Sequence, residues 1–103
     1  MQEPLAPHQL TPHQLDSIAN ILAPFSASID KVGLFGSRAM GTARSNSDVD
    51  MVLHGNIDEA TIRRINTLYE ESSLALKMDV HAYSLITHAP LKAHIDAVYY
   101  PIF

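Results

Sequence analysis

Three short segments of the chain have the apolar patterns that β-strands have. Residues 32–35 form an apolar run that ends in glycine, which is typical of a buried strand. Residues 49–53 form a second apolar run that contains Asp50, and in residues 76–82 apolar and polar side chains alternate, so that segment has one face for a core and one polar face. The chain is therefore predicted to form three strands. The side chains expected to face the core from the second and third strands are Val49, Met51, Leu53, Leu76, Met78, Val80 and Ala82.

A helix is predicted before the first strand. Thr11 is a suitable N-cap, Pro12 fits the first helical position and Gln14 completes a capping box. Pro24 ends the helix near Ala23, because proline restricts the residue before it. The apolar face of this helix consists of Leu15, Ile18, Ala19 and Leu22.

Three further helices are predicted between and after the strands. A short helix covers residues 38–43, and a longer one begins after Asn56 as its N-cap and ends near Ser73. A final short helix precedes the apolar tail, residues 99–103, which either packs on the sheet or contacts another chain. This order of elements indicates an α/β, two-layer domain with a small mixed sheet and flanking helices.

Length and composition narrow the class of protein. The 103 residues fit a single domain, 1–103, with an irregular segment over residues 1–10, where His8 and His13 are expected on the surface. With 47% apolar and 17% charged residues, we expect a packed globule. The net charge of −4 argues against a protein that binds nucleic acid by itself.

Cysteine content and hydropathy exclude further classes. The chain has no cysteine, so disulfides and thiolate metal sites are excluded. Its apolar runs are too short to span a membrane, and the first residues do not have the pattern of a signal peptide. We therefore expect a cytoplasmic location and no membrane partner.

Polar residues around the first two strands have the pattern of a phosphate and metal site. Gly36 and Gly41 allow the backbone to approach a ligand closely, and the amides at Ser37 open a helix, which favours phosphate. Asp48 and Asp50 point the same way, and two adjacent carboxylates repel each other unless a cation lies between them. Mg²⁺ held by carboxylates and substrate phosphates satisfies this arrangement. The pattern therefore suggests metal-assisted nucleotidyl transfer.

Each part of this pattern has a simpler interpretation when it is taken alone. A Gly-Ser pair after a strand is usually a turn, and an Asp-x-Asp pair is usually a solvated edge. Arg38 and Arg44 either neutralise phosphate or are solvated. Ser47 either caps the backbone or orients Asp48. The combination of the two motifs at this spacing favours the functional interpretation.

The combined motif resembles the signature of a known superfamily. Gly36-Ser37, residues 38–47 and then Asp48-Val49-Asp50 resemble the DNA polymerase β-like nucleotidyltransferases. The fuller string FGSRAMG, followed by SDVD, is similar to their small prokaryotic branch, the minimal nucleotidyltransferases. Met40 stands where that branch commonly has arginine. The motif covers about a fifth of the chain.

This resemblance implies a palm-like fold and a set of site residues. Asp48 and Asp50 would hold Mg²⁺ against a triphosphate, and Asp79 would be the third carboxylate, which helps to hold a second ion and favours deprotonation of an acceptor hydroxyl. Without the resemblance, Asp79 would be an ordinary carboxylate at a strand edge. ATP is the implied substrate, and AMP is the group transferred. The residues implied to bind the nucleotide are Gly36, Ser37, Arg38, Gly41 and Ser47.

The resemblance also implies a partner protein. Larger relatives carry a helical domain that shapes the acceptor site, and small members are often paired with a separate helical protein. The acceptor is then expected to be a tyrosine of a helical partner, a HEPN-type toxin, which gives this chain an antitoxin role. Alternatives are the catalytic subunit of a two-component or antibiotic-type small-molecule nucleotidyltransferase, and a non-catalytic module that only binds its partner.

Overall fold

The computed structural model describes residues 8–103. Within them the chain forms four α-helices, two 3₁₀ helices and one sheet of four strands. The helices are α1 (Pro12–Leu22), α2 (Gly36–Met40), α3 (Glu59–Glu70) and α4 (Ala89–Val98), with 3₁₀ helices at Ala23–Ser28 and Tyr83–Leu85. The strands are β1 (Ile29–Phe35), β2 (Val49–Gly55), β3 (Met78–Ala82) and β4 (Tyr100–Pro101).

The sheet is mixed, with the strand order β3-β2-β1-β4. β2 is parallel to β3, whereas β1 is antiparallel to both β2 and β4. The predicted α/β architecture with a small mixed sheet and flanking helices is therefore confirmed. Its three predicted strands occupy the centre and one edge of the sheet, and β4 adds the other edge.

One face of the sheet carries the main core. α1 and α3 pack on this face, and Ile18, Met51 and Ile65 are fully buried there. Complete burial of such a side chain contributes about 1.5–3 kcal/mol relative to its exposure to water. The core also contains Val49, Leu53, Val80 and Ala82, in agreement with the predicted alternation.

The opposite face is only partly covered. α4 packs there, and Ile95 forms a smaller apolar cluster with Phe35 and Val52. Asp50 and Asp79 lie on this same face, and the Asp79 side chain remains 56% exposed. The second face of the sheet is therefore divided between an apolar contact with α4 and a polar, accessible region.

Local signals explain most helix boundaries. The capping box of α1 is present as predicted, because Thr11 Oγ1 accepts from the Gln14 amide at 3.1 Å and Gln14 Oε1 accepts from the Thr11 amide at 2.9 Å. The predicted N-cap at Asn56 is wrong. Asp58 caps α3 by accepting from the Thr61 amide at 2.8 Å, while the Asn56 amide donates to a carbonyl in the turn before β1.

The N-terminal and C-terminal segments each pack against the sheet or its loops. Residues 1–7 of the predicted irregular segment lie outside the described residues, and residues 8–10 form neither helix nor strand. His8 is buried rather than on the surface as predicted. The apolar tail packs on the sheet, since the Ile102 amide donates to the Val32 carbonyl at 3.1 Å. No helix within residues 8–103 has the length and hydropathy that a membrane span requires.

The free edge of β3 is covered by a side chain of α3. The Val80 amide donates to Asn66 Oδ1 at 3.0 Å, and Asn66 Nδ2 donates to the Val80 carbonyl at 2.9 Å. This pair of hydrogen bonds replaces those that a further strand would make. The arrangement blocks the middle of an edge that would otherwise favour pairing with another chain.

Candidate active site

Three carboxylates lie on the accessible face of the sheet. Asp50 of β2 is opposite Asp79 of β3 in the parallel register, and Phe35 of β1 is opposite Asp50 on its other side. Asp48 immediately precedes β2 and is 56% exposed, with the Lys77 ammonium 3.9 Å from its Oδ2. The structure thus brings together the three acidic residues that the sequence predicted.

Asp50 lies where negative charge is concentrated. Burial raises its pKa, and the neighbouring charges of Asp79 and Asp48 raise it further. His81 and His94 oppose this shift by favouring the charged carboxylate. The ionised form of Asp50 is therefore destabilised in the protein alone, and a cation bound beside it would relieve that cost.

The donor set fits a hard divalent cation that also takes ligands from a substrate. Carboxylate oxygens are the ligands that Mg²⁺ prefers, and Mg²⁺ is usually held by one or two carboxylates together with phosphate oxygens. In the part of the chain that the structure describes, no group of three or more His, Cys, Asp or Glu side chains is arranged to hold a metal ion by itself. One or two of these carboxylates could hold an ion whose remaining ligands come from phosphate and water, and the joint service of Asp48, Asp50 and Asp79 as metal ligands stays a prediction.

Gly36 connects β1 to α2 directly beside the Asp50 carboxylate. Its φ is +71°, and a Cβ at this position would collide with Asp50 Oδ2. Both the backbone conformation and the close approach of Asp50 therefore require glycine. Gly41, with φ of 76°, ends α2 in the left-handed conformation. The predicted short helix over residues 38–43 begins two residues earlier than expected, at Gly36 itself.

The Arg38 side chain has a different role from the predicted one. It is fully buried, and its guanidinium donates to the carbonyls of His8 at 2.8 Å, Ser45 at 3.1 Å and Ser47 at 2.7 Å. Its donors are thus directed at backbone oxygens rather than at the surface where a phosphate would bind. Arg38 fixes the loop before β2 to α2 and to the N-terminal segment. Sequence alone could not show this, because His8 is thirty residues away.

Ser47 also acts within this loop. Its Oγ accepts a hydrogen bond from the Arg44 amide at 2.9 Å, and its amide donates to the Arg44 carbonyl at 3.0 Å. The turn is closed immediately before Asp48. Of the two interpretations of Ser47, capping of the backbone agrees with these contacts, and a direct contact with nucleotide remains a prediction.

Two histidines adjoin the carboxylates. His81 Nε2 lies 3.2 Å from Asp79 Oδ2, as expected for residues on the same face of β3. His94 of α4 was missed, and its Nε2 accepts a hydrogen bond from the Gly36 amide at 3.2 Å. Both imidazole rings pack edge-on against Phe35, with centroids 5.5 and 6.2 Å away.

A periodic signal could have identified His94. The residues expected to face the sheet from the last helix include Leu91, Ile95 and Val98. His94 lies three residues after Leu91 and one before Ile95, so it shares their helical face. A polar residue on the apolar face of a helix that covers the site is a candidate for contact with that site.

Comparison with known proteins agrees with this geometry. The family model described as "Polymerase beta, Nucleotidyltransferase" matches residues 16–101, which include all three carboxylates and both glycines. The chain belongs to the polymerase β nucleotidyltransferase family. The resemblance inferred from the signature is thereby confirmed, and this family member is a nucleotidyltransferase.

Solved structures share its fold. A toxin–antitoxin structure with AMP-PNP aligns with a TM-score of 0.70 at 19% identity, covering 86% of this chain and 72% of that chain. Two structures of mutants of the toxin–antitoxin MntA–HpeT align with TM-scores of 0.68 and 0.67 at 15% and 18% identity. They cover 86% and 85% of this chain, and 71% and 70% of theirs. No curated protein matches the sequence.

Proposed function

We propose that this nucleotidyltransferase transfers AMP from ATP to a hydroxyl group of a helical partner protein. The observation that carries the proposal is the contact between the Gly36 turn and the paired carboxylates. The turn approaches Asp50 so closely that no side chain fits between them, and Asp79 lies beyond Asp50 on the next strand. A phosphate-binding turn directly beside a cation site is the arrangement that the chemistry requires.

Each predicted site residue has a role in this proposal. Asp48, Asp50 and Asp79 would hold Mg²⁺, with two ions expected during turnover. Bound Mg²⁺ would neutralise charge on the triphosphate and on the attacking and leaving oxygens. The Ser37 amide would donate to the β- and γ-phosphates, and the Gly36 amide would do so after exchanging its present acceptor, His94 Nε2, for a phosphate oxygen. Gly41 and Ser47 would support the turn and the loop on either side of the nucleotide, and Arg38 would position that loop from beneath.

The reaction is an in-line displacement at the α-phosphorus. The acceptor oxygen forms a bond to phosphorus while the bond from phosphorus to the bridging oxygen of pyrophosphate breaks. The electron pair leaves with pyrophosphate, and the Asp79 carboxylate would accept the hydroxyl proton. In this role Asp79 would have His81 beside it, whose Nε2 lies 3.2 Å from the Asp79 carboxylate.

Two kinds of observation support the choice of donor and acceptor. Solved structures with the same fold are toxin–antitoxin complexes, and one was determined with AMP-PNP. They support an adenine nucleotide and a partner protein for this chain. A HEPN-type toxin as partner, a tyrosine as acceptor and an antitoxin role follow from the resemblance of the sequence. A single domain over residues 1–103 and a cytoplasmic location stay predictions of the same kind.

A transfer assay tests the proposal. Lysate of the source cells is supplied with α-labelled ATP, Mg²⁺ and either the purified wild type or its Asp48→Asn/Asp50→Asn variant. We expect a labelled protein band with the wild type alone, and loss of that band with EDTA. Label in small molecules would instead support the antibiotic-type alternative. Absence of transfer with all four nucleotides, together with stable capture of a partner, would support the non-catalytic binding module.

A further inference from the structure

An open groove lies beside the edge strand of the sheet, next to the carboxylates. It has a volume of about 480 Å³ and runs between α3, the end of β3 and the β3–α4 connection. We call it the β3 groove. Residues that line it include Arg63 on α3, His81 on β3, Leu85 and His88 on the connection and Leu91 on α4.

We propose that the β3 groove seats the acceptor, and that the acceptor is a polypeptide whose apolar side chains enter the groove beside the reacting hydroxyl. This inference rests on the proposed nucleotidyl transfer. It adds the surface on which the partner protein binds and the kind of contact that it makes there.

The groove is continuous with the proposed catalytic centre. His81 lines the groove, and its Nε2 is 3.2 Å from Asp79 Oδ2. A molecule bound in the groove therefore contacts a residue that itself contacts the third carboxylate. A hydroxyl at the His81 end of the groove would lie beside Asp79.

The order of residues across the sheet also favours an acceptor that approaches from the β3 edge. Gly36 follows β1, Asp50 is on the central strand β2, and Asp79 is on the edge strand β3. Pyrophosphate would leave on the Gly36 side, where the amides hold the β- and γ-phosphates. An in-line displacement requires the attacking oxygen on the opposite side of the α-phosphorus. That side is the β3 edge, where the groove opens.

The chemistry of the groove distinguishes a polypeptide from a polycationic small molecule. Of the described residues that line it, Glu59 alone is acidic, and its carboxylate is 4.0 Å from the Arg63 guanidinium. An acceptor with several positively charged amino groups would require a more acidic surface. In this groove such an acceptor would meet the positive charge of Arg63, and that repulsion disfavours its binding. The groove instead exposes apolar side chains, among them Leu85, which is 38% exposed.

The mode of binding follows from the protected edge of β3. Asn66 already forms both hydrogen bonds with Val80, so an extended segment cannot add to the middle of this strand. The acceptor must bind through its side chains. The apolar face of a helix, with the hydroxyl-bearing residue at one end of the contact, satisfies this requirement.

A pair of matched substitutions tests the inference. Leu85→Glu places a charge in the groove, and Phe103→Glu places the same charge on another exposed apolar residue, 51% exposed, in the tail beyond β4. Both sites are on the surface, so both variants should fold and bind AMP-PNP as the wild type does. We expect Leu85→Glu to reduce labelling of the acceptor protein by about tenfold or more, and Phe103→Glu to leave it unchanged.

Photo-crosslinking identifies the surface directly. p-Benzoylphenylalanine is introduced at position 85 or 103 of the full chain, which is irradiated in the same lysate with α-labelled ATP. We expect the protein that carries the AMP label to crosslink from position 85 and not from position 103. Labelling that is insensitive to Leu85→Glu, or crosslinking of the labelled protein from position 103 alone, would overturn the inference while leaving the transfer activity established. Leu85-dependent labelling of added kanamycin would overturn the assignment to a polypeptide. A wild type that labels no acceptor would instead refute the proposed function, and this inference with it.

Discussion

Replacing Asp50 with asparagine should stabilise the protein in the absence of divalent cations while it removes transfer activity. Asp50 is partly buried and lies opposite Asp79 on the neighbouring strand, with Asp48 two residues away. Asn has nearly the same shape as Asp and carries no charge. The substitution therefore removes both the burial of a charge and its repulsion by two others, with little change in packing.

The size of the effect can be worked from the sheet geometry. Neighbouring strands lie about 4.8 Å apart, so the two carboxylates are separated by about 5.5 Å. Coulomb's law gives about 3 kcal/mol for one such repulsion at an effective dielectric constant of about 20 and about 0.8 kcal/mol at that of water, about 80. Because the Asp79 side chain is 56% exposed and screened by solvent, the repulsion lies near the lower figure, at about 1 kcal/mol. For a domain of this size we expect Asp50→Asn to raise the melting temperature by about 4 °C at neutral pH.

The stabilisation of the protein by Asp50→Asn should increase with pH. The pKa of Asp50 is raised in the folded protein, so folding favours the protonated carboxyl. The stability that protonated Asp50 contributes is fully present below about pH 4, the ordinary pKa of an aspartate. It is lost as the pH rises from there through the raised pKa that Asp50 has in the folded protein. The difference between Asp50→Asn and wild type should therefore be small at about pH 3.5 and reach its full size at neutral pH.

Thermal unfolding followed by circular dichroism measures this difference. Each protein is examined in EDTA at several pH values and again with Mg²⁺ at neutral pH, with Asp16→Asn as a control for loss of an exposed carboxylate on α1. Mg²⁺ should stabilise the wild type and reduce its difference from Asp50→Asn, because the ion binds the folded site. If Asp50→Asn were no more stable than wild type in EDTA at neutral pH, or if the difference did not vary with pH, the electrostatic account of the site would be wrong.

Three further substitutions test single contacts. Gly36→Ala should lower the free energy of unfolding by about 1–3 kcal/mol and reduce transfer, because the new Cβ meets Asp50 and the φ of this residue is positive. Wild-type values in urea unfolding and in the transfer assay would contradict this. Arg38→Ala should cost about 3 kcal/mol in urea unfolding, since the buried hydrogen bond to the His8 carbonyl and the part-buried ones to Ser45 and Ser47 are lost, whereas the exposed Arg44→Ala should change little; equal effects would contradict the role of Arg38 in fixing this loop. Asn66→Ala should cost about 1–2 kcal/mol and increase self-association in light scattering, because the edge of β3 is uncovered; an unchanged monomer fraction would argue against edge protection.

Sequence periodicity was sufficient for the features that depend on neighbouring residues. The period of two along the strands correctly placed Asp50 and Asp79 on the face opposite the core. The capping box at Thr11 was correct because all of its hydrogen bonds form within one helical turn. The Gly-Ser and Asp-x-Asp spacing identified the family because both motifs lie within residues 36–50.

Features that depend on tertiary contacts were not predictable in the same way. Arg38 resembled a phosphate ligand in the sequence, but its guanidinium binds the carbonyl of His8, which folds back over the loop. His94 contacts Gly36 from α4, although the two residues are 58 positions apart in the sequence. The N-cap of α3 fell on Asp58 rather than Asn56, because the Asn56 amide is engaged by the turn before β1.

The most direct test of the central claim compares the fate of two labels. The protein, its acceptor and Mg²⁺ are incubated with ATP labelled at the α-phosphate or, in parallel, at the γ-phosphate, and the Asp48→Asn/Asp50→Asn variant serves as the control. The account predicts that the α label enters the acceptor, that the γ label is released in pyrophosphate and that the variant transfers neither. Entry of the γ label into the acceptor, or undiminished α labelling by the variant, would contradict nucleotidyl transfer at these carboxylates.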